Sequence, residues 1–104
     1  MPETRTFPEE SSMQATVELQ VIPIGSGVSV RREILRVVGM LGDYPFTIET
    51  HASGTNIEGK LDDILDAVRK VHIALHAEGT VRLVSYLKIE TRTDKTPTLA
   101  GKAL

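Results

Sequence analysis

The chain has 104 residues, of which 40% are apolar and 25% charged, and a formal net charge of −2. That length suits one folded domain with a hydrophobic core of its own and leaves no room for two. There is no cysteine, which excludes a disulfide framework, a thiol nucleophile and a thiolate metal site, and suits a cytoplasmic setting. No long basic block occurs, and Phe7, Tyr44, Phe46 and Tyr86 are scattered. Nucleic-acid binding normally needs a basic face, often with stacking aromatics, so it is not expected. The apolar runs are far shorter than a membrane span.

Residues 1–12 hold two prolines, three glutamates and no apolar segment. They read as a flexible tail rather than a secretory signal, with Met13 as the natural start of a domain over 13–104. Residues 15–24 alternate: Ala15, Val17, Leu19 and Val21 face one way, and Thr16, Glu18 and Gln20 the other, which predicts a strand with one buried face. Pro23 lacks an N–H and belongs near the strand's end or at an unpaired edge. Gly25-Ser26-Gly27 breaks the strand. Ser29 suits an N-cap, and Val30, Ile34, Val37, Val38 and Leu41 form an apolar stripe on a first helix. Gly42 and Pro45 end it.

Residues 46–52 read as a second strand, with Phe46, Ile48 and Thr50 on one face. Ser53-Gly54 is a turn, and Thr55 to Glu58 a short third strand that Gly59 ends. A second helix is expected from about Leu61 to Ala77, buried along Leu61, Ile64, Leu65, Val68, Val71, His72 and Leu75. Asp66 and Lys70 form a favourable i, i+4 pair. Residues 81–90 are the last long strand. The order β-α-β-β-α-β predicts an α+β, ferredoxin-like fold: a four-stranded antiparallel sheet with two helices on one face. The other face, carrying Thr16, Glu18, Gln20, Val84 and Tyr86, is left open. That face and Ile73, which lies off the core stripe of its helix, point to a homo-oligomer.

The densest cluster of hydrogen-bonding and flexible residues is His51-Ala52-Ser53-Gly54-Thr55-Asn56-Ile57-Glu58-Gly59. Two readings fit it: a ligand-binding turn, or a polar hairpin leading into a helix. In the first, Glu58 anchors a ligand by accepting bonds from an amino-substituted heterocycle. No partner acid or nucleophile marks a reaction. His72 and His76 stand at a spacing that can clamp a metal, but without the glutamate of HExxH or a third ligand, and His72 falls on the packed face. Gly25-Ser26-Gly27 before a helix could receive an anion, or be a plain turn. Arg82 could hold a carboxylate or phosphate and is expected on the second-helix side or at a subunit boundary.

His51 to Gly59, the Leu61-Asp62-Asp63-Ile64-Leu65 helix with His72, and the block from Gly79 to Lys95 together resemble the small thiamine-binding proteins. That family is about 100 residues long and is related to a tandem-repeat protein that binds thiamine and its hydroxymethylpyrimidine. Ile22-Pro23-Ile24-Gly25, Ser29-Val30 and Leu99 to Lys102 also fit, so the resemblance spans about residues 13–104. It implies a ferredoxin-like protein binding thiamine or a related pyrimidine, with no cofactor and no turnover, as a dimer or tetramer. Ser53 stands where the family commonly has methionine. On this reading Glu58, Thr55, Asn56 and His51 meet the aminopyrimidine, with Ser53 in the same turn, while Glu18 and Tyr86 serve the thiazolium. The alternative is a structural or regulatory homo-oligomer with no small-molecule ligand.

Overall fold

A computed structural model describes residues 13–102 except Ser26 and Val28. The expected tail, residues 1–12, and the middle of the Gly25-Ser26-Gly27 turn lie outside the described residues. Six main elements follow in order: β1 (Gln14–Ile24), α1 (Arg31–Leu41), β2 (Thr47–His51), β3 (Gly54–Lys60), α2 (Leu61–Ala77) and β4 (Arg82–Glu90). The sheet runs β2-β3-β1-β4, with every neighbouring pair antiparallel. This is the ferredoxin-like α+β arrangement: two βαβ units interleave so that β1 and β3 lie side by side at the centre.

Alternation in β1 sends Ala15, Val17 and Leu19 to the helical side, where they are buried with Ile57, Val37, Leu41, Ile64, Ala67, Val71 and Leu75. Burial of this apolar surface drives the two helices onto one face. Gly59 makes room for an aromatic lid, since a Cβ there would stand 2.5 Å from Phe46 Cδ1. Phe46 in turn stacks on Tyr44, the ring centroids 4.9 Å apart. The Tyr44 hydroxyl donates to Asp66 Oδ2 at 2.7 Å, and Asp66 also meets Lys70 at 3.1 Å.

Three local expectations are corrected. Ser29 does not cap α1: the helix starts at Arg31 with Val30 at the N-cap and no side-chain cap. The innermost line of α1 is Glu33, Val37 and Leu41, while Ile34 is half exposed. These three are spaced four apart, so one charged residue sits on an otherwise apolar line. Finally, β3 does not stop before Gly59 but pairs through to Lys60.

The central ladder is uneven. β1 pairs with β4 out to Ile24, but with β3 only as far as Leu19 opposite Thr55. From Gln20 onward β1 has a sheet neighbour on one side only, which is where Pro23 falls, as its missing N–H requires.

Candidate functional site

Where β1 and the β2–β3 hairpin part, a cavity of ≈ 310 Å³ opens beneath α1. Leu19, Val21 and Pro23 wall it from β1, and Val30, Ile34, Val37 and Val38 from α1 and the residue before it. The hairpin tip, Thr50 to Thr55, forms the third side. Gly54 lets the hairpin approach this closely, because a Cβ there would lie 2.6 Å from the Leu19 carbonyl oxygen. The lining is mainly apolar, with a few polar groups set into it, the usual composition of a small-molecule site.

Those polar groups are Gln20, Glu33, Thr50, His51, Ser53 and Thr55. Thr55 is buried, facing inward opposite Leu19. His51 accepts the Ser53 backbone N–H at Nδ1, 3.3 Å away. A ring accepting at Nδ1 carries its proton on Nε2, and there Asn56 Oδ1 lies at 3.1 Å and Glu18 Oε2 at 3.3 Å. Asn56 Nδ2 donates to Glu49 Oε1 at 3.4 Å. This chain of bonds crosses β2, β3 and β1 on the open face and fixes the turn that borders the cavity. Glu33 was not singled out from sequence, where apolar periodicity favoured its neighbour Ile34. The available signal was a carboxylate four residues before Val37 and eight before Leu41.

A second cavity of ≈ 460 Å³ lies on the open sheet face, lined by Thr16, Glu18, Glu49, Asn56, Lys88, Glu90 and Leu99 among others. The chain beyond β4 returns to this face: the Leu99 N–H donates to Glu58 Oε1 at 2.8 Å. Thr16 is therefore buried although it points away from the helices.

The structure brings the expected site residues together only in part. His51, Ser53 and Thr55 meet at the first cavity, and Glu18 and Asn56 at the second. Glu58 lines neither and holds the C-terminal segment. Tyr86 is exposed on β4 opposite Gln20. Arg82 pairs with Ile24 in the register that continues Tyr86 and Val84. It therefore lies on the open face and not the second-helix side, and it forms no ion pair among the described residues. The two helical histidines each have a protein partner: His72 Nε2 lies 2.6 Å from Ser85 Oγ, and His76 Nδ1 lies 2.7 Å from the Thr80 carbonyl.

A ferredoxin-like sheet with a small apolar cavity at the end of its central ladder defines the class of molecule. The sequence model of the family described as Thiamine-binding protein matches residues 17–104, and the chain belongs to that family. It is similar to the UPF0045 protein sll0230 of Synechocystis, 38% identical over 91 residues that cover 88% of this chain and 75% of the relative. The UPF0045 protein MJ1052 of Methanocaldococcus jannaschii is 36% identical over 89 residues, covering 86% and 88% of the two chains. Its crystal structure superposes with a TM-score of 0.81 over 86% of this chain and 92% of that one. A Thermotoga maritima structure described as a thiamine biosynthesis/salvage protein shares the fold at 24% identity, with a TM-score of 0.77 over 86% and 94% of the chains.

Proposed function

We propose that this protein binds thiamine or a related pyrimidine, without turnover, in the cavity between α1 and the β2–β3 hairpin. The observation that carries the reading is the cavity itself: ≈ 310 Å³ of mainly apolar wall with Thr55, Ser53, His51 and Glu33 set into it. That volume is at the lower end of small-molecule sites, which run from roughly 300 Å³ upward. A planar heterocycle buries its faces against Val30, Ile34 and Pro23, and its ring nitrogens and amino group use the polar rim. Membership of a family described as thiamine-binding supports the ligand class. The His51 ring is already tied to Ser53, Asn56 and Glu18, so its role is to shape the turn. Binding in the cytoplasm, as carrier or sensor, accords with this reading.

Thermal melting with thiamine, its phosphates and hydroxymethylpyrimidine tests the proposal. A ligand at about 100 times its dissociation constant stabilises the folded state by roughly 2.7 kcal/mol. A rise in melting temperature is expected with at least one of the panel. No shift with any of them, together with no heat in calorimetric titration, would overturn it.

A second reading is a structural homo-oligomer without a ligand. The exposed apolar side chains Tyr86 (63% exposed) and Ile73 (56% exposed) favour assembly. The two readings are compatible, since the cavity walls from Leu19, Val21, Pro23 and α1 lie on the helical side, away from the open sheet face.

A further inference from the structure

Among the described residues, Glu33 is the one carboxylate lining the hairpin cavity. Its side chain is only 7% exposed, although glutamate is almost never so buried unless paired. The pairing it has is incomplete. Oε2 lies 3.1 Å from Arg32 Nη2, and no other described group donates to the carboxylate. Arg32 itself is 59% exposed and also reaches toward Glu78 at 3.9 Å, so it is a solvated and shared counter-charge. A largely enclosed carboxylate with a single, solvated donor keeps free acceptor capacity at the cavity wall, and a ligand that brings a donor or a positive charge into the cavity meets it.

We infer that Glu33 selects the ligand by charge, so that the cavity takes a cationic or amino-bearing heterocycle and rejects its phosphate esters. This rests on the cavity being the ligand site, as proposed above. The apolar walls from β1 and α1 offer no cation to meet a phosphate, and an anion placed in the cavity faces Glu33 at low dielectric. An exocyclic amine or a quaternary ring nitrogen gains a charge-assisted contact with the same group.

The test is calorimetric titration of wild type, Glu33→Gln and Arg32→Ala with thiamine, thiamine monophosphate and hydroxymethylpyrimidine, each variant first checked by its melting curve. Wild type is expected to bind thiamine more tightly than the monophosphate. Glu33→Gln is expected to weaken thiamine binding about ten- to hundredfold, the worth of a hydrogen bond to a charged group, and to narrow its preference over the monophosphate. Arg32→Ala lies on the surface and removes the competing cation. It is expected to tighten thiamine binding and widen that preference, and it keeps the inference testable if Glu33→Gln does not fold. Wild type binding none of the three would overturn the ligand site itself. Wild type binding thiamine, with the preference over the monophosphate unchanged in the folded variants, would overturn the role of Glu33 alone.

Discussion

Glu58 Oε1 receives the Leu99 N–H at 2.8 Å across 41 residues of chain, which ties the returning C-terminal segment to the centre of the sheet. Replacing Glu58 by alanine is expected to raise amide exchange through residues 96–101 and leave thiamine affinity within about twofold. Exchange mass spectrometry and titration measure the two effects separately. A large loss of affinity with an undisturbed segment would make Glu58 the ligand anchor that its place in the turn-and-strand cluster suggested. Gly54 is under a harder constraint, because a methyl group there collides with the Leu19 carbonyl. Gly54→Ala is expected to destabilise the fold by about 1–3 kcal/mol, the usual cost of forcing an extra carbon into packed structure. Urea denaturation checks it. At this scale His51, Ser53 and Thr55 were legible because polar and glycine residues crowd one turn. Glu33 was not, since nothing in its neighbours' identities shows which side of a helix will face a cavity.

Between elements, the core holds α2 to the rest, together with the His72–Ser85 contact to β4 and a polar clasp to the segment after α1. Leu19 and Ile57 are fully enclosed between sheet and helices, and truncating either to alanine is expected to cost about 2–5 kcal/mol. The clasp is Asp66, which accepts from the Tyr44 hydroxyl and meets Arg69 and Lys70. The Tyr44 hydrogen bond first, then those of the two cations, hold its carboxyl well below the ordinary carboxylate range. Its contribution to stability is therefore complete above the unfolded carboxyl's pKa and is lost as pH falls through the lower folded value. Asp66→Asn is expected to lower the urea midpoint at pH 7, with the gap to wild type closing in strong acid. A gap that stayed constant down to the acid transition would rule out the linkage. The helix and strand order was legible from period alone, and α2 was bounded as expected from Leu61 to Ala77. The start of α1 was not. Ser29 carries a good capping side chain, but the segment enters the helix one residue later and no side chain takes the cap.

For the whole molecule, the fold leaves one sheet face without helices, and the C-terminal segment meets only part of it through Glu58 and Leu99. Arg82, Tyr86 and Lys88 stay exposed along β4. A dimer or larger assembly is expected in solution, and sedimentation at micromolar concentration showing a clean monomer would remove that expectation. Alternation in β1 and β4 made this open face legible. The cavity was not, because it depends on where two strands stop pairing, and strand register across a sheet is a property of tertiary structure.

That stopping point sets the size of what can enter. β1 has 11 residues, β3 has 7 and β2 has 5, so the hairpin runs out while β1 continues. The hairpin therefore works as a ruler. Two more residues on each of its strands would extend the ladder over Gln20 and Val21 and fill the gap with backbone. A hairpin two residues shorter on each strand would lengthen it. Relatives with the same core and different hairpin lengths would then differ in the bulk of the ligand they admit, with no change in the walls that β1 and α1 supply.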